Sequence, residues 1–264
     1  MPEFRIEYRG VSKRFPPRGR GAQPVIAVQN VSVAIRDGEV VALIGPSGCG
    51  KSTLLNMGSG LYRPTEGEVL VDGERVTGPN PHVAFMLQKD LLLPWRTILQ
   101  NAELGLEIRG VAAQDRRARA HALLGQCHLA GFENHYPHQL SGGMRQRAAL
   151  ARTLVIDPVV LLMDEPFSAL DAQTKMVLQQ DLARTLAAEK KTALLITHDL
   201  VESIALADRI LVMSARPGTI VKEILLNDLP PRDDPMTRRR VPRVQDYAAE
   251  LMELLHIGEK TEQV

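Results

Sequence analysis

The sequence predicts an α/β fold built on a mainly parallel sheet, and three observations carry that reading. From about residue 159 onward, short apolar runs alternate with helix-forming stretches, the pattern of parallel strands covered by helices. A glycine-rich segment at residues 45–53 joins an apolar run to a helix-forming one. The first third of the chain reads instead as strands without intervening helices and ends in an Asp-Gly turn signal. An antiparallel β portion is therefore expected at the N-terminus.

Each element follows from its local chemistry. Residues 4–8 alternate apolar and polar side chains, residues 25–35 are rich in valine and isoleucine, and residues 39–44 form a short apolar run. Between the first two, residues 16–24 collect proline, glycine and arginine that no core could hold, so an exposed, mobile loop is expected. A helix starts near Gly50 and ends near Gly60. Residues 67–76 read as a hairpin turning at Asp72 and Gly73, which suit the primed turn between antiparallel strands.

After Trp95 the pattern becomes helical. Residues 112–124 are dominated by Ala, Arg, Gln and Leu, and a further helix follows Ser141 and stops near Asp157 and Pro158. The order is then strand at 159–163, helix at 173–188, strand at 193–197, helix at 200–207 and strand at 210–213. From Leu229 a proline-rich, charged connector leads to an amphipathic helix with Val244, Tyr247, Ala248, Leu251, Leu254 and Leu255 on one face. That face is expected to fold back on the core. Arg238, Arg239 and Arg240 read as a solvated charge run.

Composition narrows the function classes. A chain of 264 residues can bury a substantial core without staples. Thirty-two lysines and arginines against 31 acids leave a net charge of +1, which argues against a dedicated nucleic-acid binder. Two cysteines, Cys49 and Cys127, make neither a disulfide framework nor a metal site. No signal core or long uncharged apolar run appears, so a membrane role would have to come through a partner.

The chemistry concentrates at Gly45, Pro46, Ser47, Gly48, Cys49, Gly50, Lys51, Ser52 and Thr53, which fit G-x-x-x-x-G-K-[ST] between strand and helix. Small residues let backbone amides turn inward around phosphate oxygens, and the helix adds its positive end. Lys51 would reach the β- and γ-phosphates, and Ser52 would ligate Mg²⁺. Cys49 reads as a small filler. An apolar strand ending in Asp164 and Glu165 would set the first acid beside the metal and the second where it could polarise an attacking water.

Leu140, Ser141, Gly142 and Gly143 open a second helix and make a second phosphate site by amides and helix dipole. Lying between the two nucleotide elements, they resemble the signature of ABC-type ATPases over about residues 4–230. The resemblance implies a P-loop NTPase core, an N-terminal antiparallel β subdomain and an inserted α-helical signature subdomain at about 97–156. Residues 231–264 form a C-terminal extension. It further implies that Phe15 stacks on adenine, that Gln88 contacts Mg²⁺ and the lytic water, that Asp171 lies in the loop between subunits, and that His198 bonds the γ-phosphate. Asp171 also stands where it could cap the next helix, and Phe15 could be a core residue. Met144 stands where the family has glutamine, which puts any contact of that amide in doubt.

One cradle and one signature per chain imply a head-to-tail pair with two ATP molecules at the interface. Leu91, Leu92, Leu93, Pro94 and Trp95 form a dense apolar run holding the sole tryptophan. It is either a buried turn or a docking groove for transmembrane permease subunits near Gln88 to Trp95. Leu93, Pro94, Trp95, Arg96 and Thr97, with Ala215, Arg216, Pro217 and Gly218, look like the importers of nitrate, sulfonates and taurine. Such a subunit would sit on the cytoplasmic side of the bacterial inner membrane and serve an external solute-binding protein indirectly. The alternative is a soluble ABC ATPase acting on a non-transport complex.

Overall fold

The computed structural model describes residues 3–17, 19 and 23–259, with side chains described as far as residue 255. Strands β1 (Phe4–Phe15), β2 (Val25–Arg36), β4 (Glu66–Val71) and β5 (Glu74–Arg75) form an antiparallel sheet in the order β2-β1-β4-β5. Asp72 and Gly73 both take positive φ, 51° and 80°, as the hairpin turn requires. β1 runs seven residues beyond the predicted stretch, through register shifts where its alternation breaks.

The second sheet holds β3 (Val40–Ile44), β6 (Val83–Met86), β7 (Val160–Asp164), β8 (Thr192–Ile196), β9 (Arg209–Met213) and β10 (Ile220–Leu225), ordered β10-β9-β3-β8-β7-β6. All pairings are parallel except β9 with β10. Strands β3, β7, β8 and β9 are buried at every residue, as a sheet covered on both faces demands. At about 1.5–3 kcal/mol per large apolar side chain, they are the stable frame of the molecule.

Helix α1 (Lys51–Gly58) lies between the two sheets, its Leu54, Leu55 and Met57 fully buried. Helices α2 (Ile98–Ala102), α3 (Leu104–Ile108), α4 (Ala113–Gln126) and α5 (Gly142–Leu154) pack with α6 (Ala172–Ala188) around the largest apolar cluster. On the other side, α7 (Leu200–Leu206) and α9 (Arg243–Glu259) cover β3 and β9, with the short α8 (Pro235–Arg239) beside α7. All six predicted apolar positions of α9 belong to that cluster.

The arginine run corrects the sequence reading. Arg238 is 2% exposed rather than solvated, donating through Nη1 to Ala207 O at 2.6 Å and through Nη2 to Leu226 O at 3.2 Å. The carbonyls at a helix C-terminus have no partners within the helix, and a guanidinium can supply two donors at once. Arg239 is half-buried and bonds Gln179; Arg240 alone is exposed. Of the loop expected at residues 16–24, residues 18 and 20–22 lie outside the described residues, and those that are described are exposed.

Candidate functional site

Four neighbouring strands of the parallel sheet each deliver one motif at the carboxyl end. The glycine-rich loop follows β3, His198 follows β8, Asp164 and Glu165 end β7, and Gln88 follows β6. The register keeps these ends level, since Ile196 pairs with both Leu43 and Asp164, and Met86 with Met163. Ligands of open α/β sheets bind at this edge. A cavity of about 410 Å³ opens there, lined among others by Phe15, Ser47, Gly48, Gly50, Lys51, Ser52, Thr53, Gln88, Asp164, Glu165 and Arg216. A larger cleft of about 650 Å³, around Leu123, Leu154 and Lys191, holds none of the motifs, so volume alone would not have found the site.

Backbone packing shapes the cradle. Gly50, at φ 112°, caps α1, and a Cβ there would meet Ala27 O at 2.6 Å. Any side chain would push β2 away from the loop. Lys51 Nζ donates to Gly45 O at 2.7 Å and Pro46 O at 2.9 Å, which brings its charge under the loop. Cys49 is 1% exposed and packs as a filler.

Asp164 is 9% exposed and accepts from the Ser52 hydroxyl. Burial pushes its carboxyl up, and neighbouring Glu165 adds to that, against the opposing pull of Ser52 and Lys51. Together the two side chains offer hard oxygen donors. They suit a small divalent cation that completes its shell with phosphate and water.

Glu165 is the focus of the site. Gln88 Nε2 donates to its Oε2 at 2.9 Å, and His198 Nδ1 lies 3.3 Å from the same oxygen. Its backbone takes φ 48°, rare for a non-glycine residue, and is held by Glu165 N–H to Ile196 O at 3.0 Å and Ser168 Oγ to Glu165 O at 3.0 Å. The left-handed backbone turns the carboxylate off the strand end toward Gln88.

Of the remaining predicted residues, His198 reaches the site through Glu165, while Ser141, Gly142 and Asp171 lie apart from it. Ser141, Gly142, Asp171 and His198 are exposed, and none of them lines the cavity. Ser141 Oγ accepts from Met144 N–H at 3.3 Å, capping α5. Met144 occupies the third helical position, where a glutamine could return a bond to the cap backbone. The thioether packs instead against the helical cluster. Asp171 caps α6 through Thr174 N–H at 3.0 Å. Phe15 is half-buried and meets Tyr62 edge-on at 5.6 Å, with Lys13 Nζ 5.5 Å from its ring centre.

Sequence reasoning passed over Arg216 as a site residue. Its guanidinium donates twice to Gly48 O, at 2.7 and 3.1 Å, and it lines the cavity. The turn that carries it lies against the loop, since a Cβ on Gly218 would come within 2.1 Å of Cys49 O. Nothing local flags this arginine, because its partner lies 168 residues away. Asn101 was also passed over. Fully buried, it binds the backbone of Leu93, Arg96 and Thr97, fixing the turn from which Trp95 projects, 72% exposed.

Comparison with known proteins gives the family. The ABC transporter family model matches residues 28–168. An uncharacterized ABC transporter ATP-binding protein of Methanocaldococcus jannaschii is 48% identical over 88% of this chain and 85% of its own. A nitrate import ATP-binding protein, NrtD, of Synechocystis is 42% identical over 90% and 91%. A taurine import ATP-binding protein, TauB, of Yersinia pestis is 45% identical over 76% and 79%. Among solved structures, the dimeric ATP-binding cassette MJ0796 bound to ADP and Pi superposes with TM-score 0.77 at 34% identity, covering 84% of this chain and 99% of that one. On this family match and these relatives, the chain belongs to the ABC transporter family and is one of its ATP-binding, ATP-hydrolysing cassettes.

Proposed function

We propose that this protein is the ATPase subunit of an importer for a small solute of the nitrate, sulfonate or taurine kind. It would work as a head-to-tail pair that clamps two ATP molecules and closes membrane subunits to which it is attached. The observation that carries the reading is an incomplete site: the cavity holds the cradle, while Ser141 and Gly142 face solvent elsewhere on the chain. A second copy could present its signature to this cradle, and a two-fold pairing, in which each cradle meets the other copy's signature, is isologous and closes into a two-site dimer.

Within that site each residue has a role. Amides of residues 45–53 and the Lys51 ammonium hold the phosphates, with Phe15 beside the base. Ser52 and Gln88 would hold magnesium directly and Asp164 through water; the ion neutralises charge on the phosphates. Glu165 accepts a proton from the attacking water, while Gln88 and His198 keep its Oε2 aimed. Ser141, Gly142, Gly143 and Asp171 act from the partner copy.

The docking surface for permease subunits is the turn at Gln88 to Trp95. Asp90 there pairs with Arg145 at 3.1 Å, and Arg152 donates to the carbonyls of Asp90 and Leu91 at 2.6 and 2.8 Å. A push on Trp95 would thus reach α5 and its signature end. An exposed aromatic on a prefixed turn costs little entropy to bury. Residues 1–230 then form the ATPase unit, with helical subdomain 97–156, and 231–264 an extension. No described helix is long and apolar enough to cross a membrane; the pair would sit against the cytoplasmic face of its partner, which in turn would meet an external solute-binding protein.

Sedimentation equilibrium of a Glu165→Gln variant with ATP and magnesium tests the pairing. A dimer that dissociates when ATP is withdrawn is expected; a monomer at every ATP concentration overturns it.

A further inference from the structure

Helix α6 starts at Asp171 and α7 at Asp199, one residue after His198. Lys175, in the first turn of α6, reaches with its side chain to the first turn of α7. Lys175 Nζ lies 2.8 Å from Asp199 Oδ2 and 2.7 Å from Glu202 Oε2, and Lys175 N–H donates to Asp171 O at 2.9 Å. Asp199 is held a second time, because its Oδ1 accepts from Glu202 N–H at 3.0 Å. Burial pushes the Asp199 carboxyl up, but Lys175 and that helix N–H hold it below the ordinary range.

The contacts continue away from the nucleotide. Gln179, fully buried one turn along α6, donates to the same Glu202 oxygen at 2.7 Å, and its amide oxygen accepts from Arg239 of α8. Gln180 Nε2 donates to Asp233 O at 3.1 Å, and Arg238 clamps the end of α7 at Ala207 O. Residues 233–239 therefore grip α6 and α7 together. None of Lys175, Gln179, Asp199, Glu202 or Arg239 lines the cavity.

A partly buried ionic network of this kind adds little net stability compared with apolar packing, but it fixes one arrangement of the elements it joins. Here the elements are the two helices whose starts carry Asp171 and His198. We propose that Lys175 is a positioning residue for His198, and that Arg239 sets Lys175 through Gln179 and Glu202, so that the C-terminal segment governs turnover from a distance. The proposal rests on the reading of His198 given above.

The test is steady-state ATP hydrolysis by the full chain carrying Arg239→Ala, Lys175→Met or both. We expect kcat to fall about fivefold for the first and about tenfold for the second, with KM for ATP within about twofold. The double variant is no slower than Lys175→Met, because both changes act on one chain of contacts. Arg239→Lys, which keeps a donor toward Gln179, recovers most of the loss. If Lys175→Met does not fold, Gln179→Met takes its place in the cycle. Wild-type kcat in Arg239→Ala, additive losses in the double variant, or a KM rise matching the kcat loss overturns the proposal while leaving His198 in its role. Wild-type turnover in His198→Ala overturns that role and the proposal with it.

Discussion

The two glycine-rich helix starts of this chain are built in opposite ways. The cradle at the head of α1 is enclosed: Gly50 lies against Ala27, Gly218 against Cys49, Arg216 binds Gly48, and Lys51 binds Gly45 and Pro46. The signature at the head of α5 is held by its cap bond, Ser141 to Met144, and by Arg145 on the carbonyls of Leu140 and Ser141, while its serine and first glycine are open to solvent. One is enclosed, and the other is an open surface. On the reading proposed above, the same physics, amides at a helix N-terminus, yields a receptor in one setting and a lid in the other, according to how much chain surrounds it.

The largest expected effect would break or establish this contrast. Lys51→Ala and Gly143→Asp each lower turnover by at least about a hundredfold, the first by removing charge from the cradle and the second by placing a carboxylate where phosphate would sit. Mixed one to one, the two inactive variants regain about a quarter of wild-type activity, because half of the dimers contain one composite site free of both changes. Hydrolysis that stays at the mean of the separate variants would mean the cradle does not borrow its lid.

A smaller effect sharpens the cradle side. Arg216→Ala frees the Gly48 carbonyl and lets the loop sample other shapes. KM for ATP is expected to rise about three- to tenfold, with kcat within about twofold. An unchanged KM would show that the loop keeps its shape without the guanidinium. A last one, similar in size, concerns the signature side. Ser141→Ala removes the α5 cap and costs about 1 kcal/mol in thermal or urea unfolding. Its loss in turnover should exceed that figure, since a cap alone does not touch nucleotide. Equal losses by both measurements would reduce Ser141 to a capping role.

How much of this was legible in the sequence follows from where each partner lies. The glycine-rich loop, Asp164 with Glu165, and the signature are contiguous residues whose chemistry needs fixed spacing, so they could be read one by one. Strands β3, β7, β8 and β9 were visible because burial on both faces makes them uniformly apolar. β10 was not read, because this edge strand exposes Val221 and Leu225 and carries Lys222 and Glu223 between them. Arg216 and Arg238 owe their positions to carbonyls at Gly48, Ala207 and Leu226, which no local pattern announces. Arg238 was misread for a further reason: three adjacent arginines suggest solvent, whereas a short helix sends each in a different direction.

The turn at Ser214 to Thr219 carries a consequence for dissecting the protein. Gly218 exchanges backbone hydrogen bonds with Ala27 and Gln29 while its flank rests on Cys49. A fragment ending just past His198 would retain every nucleotide motif and still lack the rear wall of its own binding loop. Chimeras that swap the N-terminal half between cassettes therefore have to carry the 214–219 segment along, or they graft a pocket onto a foreign backing.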